Sequence, residues 1–414
     1  DIGNTVVVVE HDPEVLRAAD HMVELGPEAG TRGGEVVYQG TLQGLLDHGE
    51  TLTADYLTGR RRLPERQRAR PDDTHMLVVK GARRHNLNKL DVAIPLARLV
   101  CFTGVSGSGK STLMNDCLYD GLTGKAQGGP ERGLPFTGFQ GASRIDKVIR
   151  VDQTPIGKSS RSNPATYLGV LTHIRELFAA TPEARARGYE AGRFSFNTAG
   201  GRCPECQGLG EHRVEMHFMA DISVPCDVCA GTRFNPATLE VRIRGKTIAQ
   251  ILELTVEDAL AFFQGENAIR DKLWILRKVG LGYLTLGQSA TTLSGGESQR
   301  LKIARELGTP SGKRNLYLLD EPTTGLHIHD VAQLALVLHE LVDHGHSVIV
   351  IEHNLDLVAQ ADWIVDLGPG GGADGGRVVG CGTPEALAAM DASVTGRHLA
   401  ARFERLKVGK GGEA

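Results

Sequence analysis

No stretch of this 414-residue sequence stays apolar for anything near the roughly 18 residues of a membrane-spanning helix. The longest β-like runs are Val6–Val9 and Val348–Ile351. A transporter's membrane half is therefore excluded, and no membrane is expected as a partner. No secretory signal opens the chain, which points to a cytoplasmic protein. One sign of charge does not dominate either: 46 Lys plus Arg stand against 50 Asp plus Glu, for a formal net charge of −4. Any nucleic acid must then be held by a local patch rather than by a global field. The first residue is Asp1 rather than Met, so the sequence is expected to be part of something longer. Glycine, in contrast, is abundant at 52 residues and dispersed, which suits many tight turns. The apolar (41%) and charged (23%) fractions are those of a folded chain, and the length predicts two or three domains.

Cysteine is scarce but patterned. Four of the seven form two pairs, Cys203-Pro-Glu-Cys206 and Cys226-Asp-Val-Cys229, with 19 residues between the inner members. Paired C-x-x-C knuckles in a chain without an export signal read as a four-cysteine zinc site. The site is structural rather than catalytic, because four thiolates leave no position open for water. Gly208, Gly210 and Gly231 suit the knuckle turns. His217 lies between the pairs and is left structural, since the tetrahedron is already filled.

An internal repeat organises the rest. Residues 1–41 align without a gap with residues 343–383, each position n meeting n + 342, and 19 of the 41 pairs are identical. Glu10-His11 meets Glu352-His353, and Leu25-Gly26-Pro27 meets Leu367-Gly368-Pro369. The period is far too long for a solenoid, so it signals two copies of a large domain, the first contributing only its final stretch. The expected layout is the end of a first copy over 1–59, then an Arg/Pro-rich linker over 60–75. The second copy runs over 76–154 and 309–414, and a lobe is inserted at 155–308 with the zinc module at about 200–232.

Leu99–Thr103 is a buried-strand pattern that leads into Gly104-Val105-Ser106-Gly107-Ser108-Gly109-Lys110-Ser111-Thr112, a complete phosphate loop between strand and helix. Its glycines let backbone N–H groups converge on phosphates at a helix N-terminus. Lys110 would reach the β- and γ-phosphates, and the Ser111 hydroxyl would ligate Mg2+. A second apolar strand, Leu316–Leu319, ends in Asp320-Glu321; Asp320 is the expected second magnesium contact and Glu321 the general base. Ser294-Gly295-Gly296 opens an amphipathic helix, another anion-binding arrangement. His353 sits at the tip of the strand Val348–Ile351 and recurs as His11.

Phosphate loop, LSGGE-type signature, Asp-Glu-Pro and terminal histidine together resemble the ABC ATPases. Within them, the four-cysteine module between loop and signature, Asp152–Gly157, Ser162–Tyr167, Gly192–Asn197, Gln288–Thr292 and Asp320–His327 resemble the UvrA family, A subunits of the bacterial excinuclease of nucleotide excision repair. The resemblance covers essentially residues 1–400. It implies an α/β ABC-type ATPase domain, its core sheet carrying the strands at Val100, Leu316 and Ile349, with an inserted, mainly helical signature lobe. Helices are expected over Val256–Gln264 and Ala268–Val279, with Phe262, Phe263, Leu273, Trp274 and Leu276 as core.

By the same resemblance, Lys110, Ser111, Gln153, Asp320, Glu321 and His353 line one ATP site. Ser294, Gly295, Gly296 and His11 belong to the other, so the chain carries pieces of two sites. The implied activity is ATP hydrolysis coupled to recognition of double-stranded DNA with lesions, with a UvrB-type partner and self-association as a dimer. Lys158 and Arg161 are the phosphate-contact candidates, with Arg193, Arg202 and Arg213 near the knuckles. Two alternatives stay open: a UvrA-like paralogue for antibiotic or DNA-drug resistance, and a soluble ABC ATPase outside repair.

Overall fold

The computed structural model describes residues 4–27, 33–63, 75–125, 134–157, 159–214, 222–308 and 313–408. Lys158, His217 and most of the Arg/Pro-rich linker lie outside them. The chain divides into two compact units, Asp1–Gln153 with Pro310–Ala414, and Thr154–Thr309. Among the described residues no helix is long and apolar enough to cross a membrane.

The strands, in chain order, are β1 (Met22–Gly26), β2 (Glu35–Gly40), β3 (Met76–Ala82), β4 (Leu90–Pro95), β5 (Leu99–Gly104), β6 (Gly138–Gln140) and β7 (Lys147–Val151). They continue with β8 (Glu211–Val214), β9 (Ile222–Pro225), β10 (Asn315–Asp320), β11 (Ser347–Ile351), β12 (Trp363–Gly368) and β13 (Arg377–Gly382). In the first unit a six-stranded sheet has the order β13-β12-β5-β11-β10-β7, parallel throughout except for the β12–β13 pair. A three-stranded antiparallel sheet, β4-β3-β6, accompanies it. Central parallel strands are covered on both faces, which is why β5, β10 and β11 read as unbroken apolar runs. Val100, Phe102, Leu316, Leu318, Ile349 and Ile351 pack into one core with Leu113 and Met114 of the segment after the phosphate loop. Their alternating neighbours Leu99, Cys101, Leu319 and Val350 are equally buried.

The sequence repeat is also a structural one. β1 pairs with β2 and β12 with β13 in the same register, Met22 opposite Gly40 and Ile364 opposite Gly382, each with a bulge at the corresponding place. Their surroundings differ. β12 has β5 on its other edge, and Ile364, Val365 and Leu367 are buried. β1 pairs with β2 alone among the described residues, and Val23 (57% exposed) and Leu25 (66%) face outward. Val6–Val9, the repeat's counterpart of β11, is not a strand and is exposed. Apolar character alone does not make a strand; β11 is one because β5 and β10 hydrogen-bond to it on either side.

The second unit is mainly helical. Val170, Leu171, Ile174 and Phe178 bury one stripe of the helix Val170–Ala179, and Ile269, Leu273 and Leu276 one stripe of Asn267–Lys278. Trp274, expected in that core, is instead 46% exposed and stacks with the Arg277 guanidinium 5.1 Å from its ring. At about 100° per residue, position 274 lies about 100° from Leu273 and about 160° from Leu276 on the helical wheel, on the outer face. The antiparallel ribbon β8–β9 leads into the second cysteine knuckle.

Candidate nucleotide and metal sites

The phosphate loop leaves β5 at Gly104, whose φ of +124° lies in the left-handed region and where a Cβ would sit 1.9 Å from the Leu367 carbonyl oxygen. Only glycine fits there, because β12 passes directly alongside. Gly109 also adopts a positive φ (+106°), and a Cβ there would come within 2.8 Å of the Leu87 side chain. Asn86 donates to the carbonyls of Gly107 and Gly372 (2.9 and 3.0 Å), pinning the far side of the loop. Lys110 is buried and its Nζ donates to the carbonyls of Gly104 (2.7 Å) and Val105 (2.9 Å). Burial pushes its ammonium pKa down, while the carboxylates of Glu321, Asp366 and Asp320 pull it back up. Ser108 is fully buried and its hydroxyl finds no partner among the described residues; Ser106, Gly107 and Ser111 are exposed, and Thr112 is half-buried. The segment Thr112–Tyr119 is wound with a π pitch, so the loop leads into a widened helical turn.

β10 brings Asp320 and Glu321 to the same end of the sheet. Burial and the neighbouring Glu321 charge push the Asp320 carboxyl up, opposed by a hydrogen bond from Asn115 and by Lys110 and Arg150. Glu321 is a non-glycine residue at φ +44°, a strained conformation held by its N–H donating to the Ile351 carbonyl (3.0 Å). His353 Nε2 lies 3.5 Å from Glu321 Oε1, and Gln153 Nε2 donates to the Glu321 carbonyl at 3.4 Å. Lys110, Asp320, Glu321, Gln153 and His353 are thus carried to the carboxyl ends of parallel strands, where α/β sheets place ligands.

Two carboxylates without an assigned role in the sequence reading build the frame. Glu352 is 2% exposed; Oε1 accepts from Thr323 N–H (3.1 Å) and hydroxyl (2.5 Å), and Oε2 from the N–H groups of His353 (2.7 Å) and Asn354 (2.8 Å). It ties the His353 turn to the loop that follows Glu321. Asp366 accepts from the hydroxyls of Thr103 (2.7 Å), Ser393 (2.7 Å) and Thr395 (2.9 Å). The repeat carried the signal for both, since Glu10 and Glu24 are their counterparts. His11, in the first copy, lies edge-on to His327 at 6.2 Å.

The remaining expected residues lie in the second unit. Ser294 caps the helix Gly295–Leu307: its hydroxyl accepts from Glu297 N–H (3.1 Å) and its own N–H donates to Glu297 Oε2 (2.7 Å). Gly295 and Gly296 form the first turn of that helix. The sulfurs of Cys203, Cys206, Cys226 and Cys229 all lie within 4.8 Å of one another and all four residues are buried. Cys206 and Cys229 Sγ are 3.7 Å apart, close to the edge of about 3.8 Å that a tetrahedron with Zn–S near 2.3 Å requires. Gly208, Gly210 and Gly231 adopt positive φ in the knuckle turns. Arg161, a phosphate-contact candidate, is half-buried and donates to the Gln207 carbonyl (3.1 Å) beside the first knuckle. Arg233, unremarked in the sequence, is half-buried there, its guanidinium 5.4 Å over the Phe196 ring.

No protein-family model matches the chain. It is 52% identical over 408 residues to UvrABC system protein A of Pseudomonas putida, covering 98% of this chain and 43% of that protein. To UvrABC system protein A of Thermus thermophilus it is 55% identical over 400 residues, covering 97% and 42%. The chain belongs to the UvrA family. Among solved structures, the crystal structure of UvrA2 from Deinococcus radiodurans matches with a TM-score of 0.89 at 49% identity, over 96% of this chain and 48% of that one. The chain therefore spans less than half the length of the UvrA-family relatives it matches. Its α/β ABC ATPase fold with an inserted lobe, and that lobe's four-cysteine cluster able to bind a metal, are those of a UvrA-type protein.

Proposed function

We propose that this chain is part of an ATP-hydrolysing subunit that recognises damage in double-stranded DNA. The observation that carries the reading is the set Lys110, Asp320, Glu321, Gln153 and His353 at one end of a parallel sheet, in a chain this similar to UvrABC system protein A. In it, the loop from Gly104 to Thr112 cradles the phosphates, with Ser106 and Ser108 among its donors and Lys110 on the β- and γ-phosphates. Ser111 and Asp320 would hold Mg2+, which would neutralise phosphate charge there. Glu321 takes the proton of the attacking water, His353 hydrogen-bonds the γ-phosphate, and Gln153 orients the water. Ser294, Gly295, Gly296 and His11 act at the paired site. A chain carrying parts of two sites binds ATP weakly and turns it over slowly unless it self-associates.

Zn2+ fits the tetrathiolate Cys203, Cys206, Cys226 and Cys229, where it would fix the base of the β8–β9 ribbon. Ile222, Val224 and Val228 expose apolar surface beside the knuckles, a shape suited to probing deformable duplex rather than reading base edges. Lys158 and Arg161 are proposed phosphate contacts, Arg161 only after leaving the Gln207 carbonyl. A UvrB-type subunit is the proposed protein partner. The test is a titration, at one ionic strength, of a plain duplex and a duplex with one bulky adduct, with and without ATP. Preference for the adduct that disappears in Cys203→Ser/Cys206→Ser supports the reading; equal binding to both duplexes refutes it for this chain.

A further inference from the structure

The loop from Glu321 to His327 carries the proposed base and is held at two ends. Glu352 anchors Thr323 at one. At the other, His327 Nδ1 accepts from His329 N–H (3.2 Å), so a neutral ring must carry its proton on Nε2. Nε2 lies 3.0 Å from Thr53 Oγ1, and the Thr53 hydroxyl donates to Glu24 Oε1 at 2.5 Å. The second carboxylate oxygen of Glu24 accepts from Thr51 (2.7 Å). Donors and acceptors therefore run one way, His327 to Thr53 to Glu24. The Tyr56 hydroxyl and His329 Nδ1 share a further hydrogen bond (3.2 Å). Glu24, Thr51 and Thr53 all belong to the first copy, whereas the loop belongs to the second.

This seat is a built unit, because it occurs twice. Adding 342 to Glu24, Thr51, Thr53 and Ala54 gives Asp366, Ser393, Thr395 and Gly396. In both places the carboxylate accepts two hydroxyls while the first hydroxyl caps the following helical turn, Thr51 taking Ala54 N–H (3.3 Å) and Ser393 taking Gly396 N–H (2.7 Å). In the second copy the carboxylate's further partner is Thr103, at the end of β5, next to the phosphate loop; in the first, Thr53's further partner is His327. The same device thus anchors an element of the nucleotide site each time.

We propose that Thr53 and Glu24 are positioning residues for hydrolysis at the Lys110–Glu321 site. By fixing His327 they hold the far end of the loop whose near end keeps Glu321 at its strained φ of +44°, and so tie the first copy's tail to the second copy's general base. The proposal rests on the ATPase reading above, and its test separates the two. In the nitrogen NMR spectrum of the whole chain at pH 7.5 without nucleotide, His327 is expected as the neutral Nε2–H tautomer; an Nδ1–H tautomer or an imidazolium overturns the direction of the relay. In ATPase assays, Thr53→Val is expected to lower kcat about tenfold with KM within twofold, and Thr53→Ser to restore it. Unchanged kcat in Thr53→Val, or a loss that Thr53→Ser does not recover, overturns the positioning role. A wild-type chain with the expected tautomer but no hydrolysis at any concentration overturns the ATPase reading, and the positioning role with it, while leaving the hydrogen-bonded seat intact.

Discussion

Glu352→Gln removes one charge and no volume, yet it breaks the symmetry on which the site's frame depends. The carboxylate serves four donors, two on each oxygen. An amide oriented with its oxygen toward His353 and Asn354 keeps both of those bonds, and the Thr323 hydroxyl can turn to accept from the amide. The Thr323 N–H is then left facing an NH2 group. The opposite orientation strands two N–H groups, so the first is adopted. A buried donor left without a partner costs about 1–3 kcal/mol, and the surviving bonds lose their charge assistance. Relief of burying a charge offsets part of this, since burial already pushes the Glu352 carboxyl up. A net loss of about 2 kcal/mol follows, which for a unit of roughly 250 residues lowers Tm by about 4–8 °C. The released segment begins two residues after Glu321, so kcat is expected to fall about tenfold, the equivalent of about 1.4 kcal/mol in the barrier. Scanning calorimetry and a steady-state phosphate-release assay read the two effects. Wild-type Tm together with wild-type turnover would refute the reasoning.

Three further outcomes are expected. Glu321→Gln keeps nucleotide affinity within a few-fold while turnover falls about 10²–10⁴-fold, the range for losing a general base; a quench-flow assay at saturating ATP checks it, and a merely threefold loss would contradict the assignment. Cys203→Ser, or a strong chelator, removes one zinc per chain by elemental analysis and lowers the melting transition of the second unit, leaving that of the first in place; a metal-free chain that melts normally contradicts the zinc reading. Burial lowers the pKa values of His327, His329 and His346, so the unfolded chain takes up their protons first, near pH 6.5. Their contribution to stability is complete above that pH and declines as the pH falls toward the folded values. Chemical denaturation between pH 7.5 and 5.5 should show a shallower decline in His346→Gln than in the wild type, and parallel curves would count against it.

The central sheet was legible because burial on both faces writes itself as apolar runs, and β5, β10 and β11 end where Gly104, Asp320 and His353 mark them. The phosphate loop and the knuckles were legible for a different reason: glycines and cysteines at fixed spacing have few other uses. Val6–Val9 carried the same apolar signature as β11 and forms no strand, because pairing is a property of neighbours rather than of the segment. Trp274 was misplaced because one step around a helix separates a buried residue from an exposed one. Glu352, Asp366 and the Glu24–Thr53–His327 chain were out of reach for another reason. Apart from the adjacent His353 and Asn354 N–H groups on Glu352, their partners are 27 to 274 positions away, and a carboxylate serving backbone N–H groups has no spacing signature. The repeat held a clue to them, since Glu10/Glu352 is one of its identities and the identical pair Val23/Val365 adjoins Glu24/Asp366, but it could not say what each acid accepts.

The most direct test of the account is calorimetric titration of Mg·ATP into the wild-type chain and into Lys110→Ala, at matched zinc content. The account predicts saturable binding to the wild type and at least tenfold weaker binding to the variant, whose fold is unchanged by circular dichroism. Equal affinity in both, or no binding to either across the accessible concentration range, would contradict it.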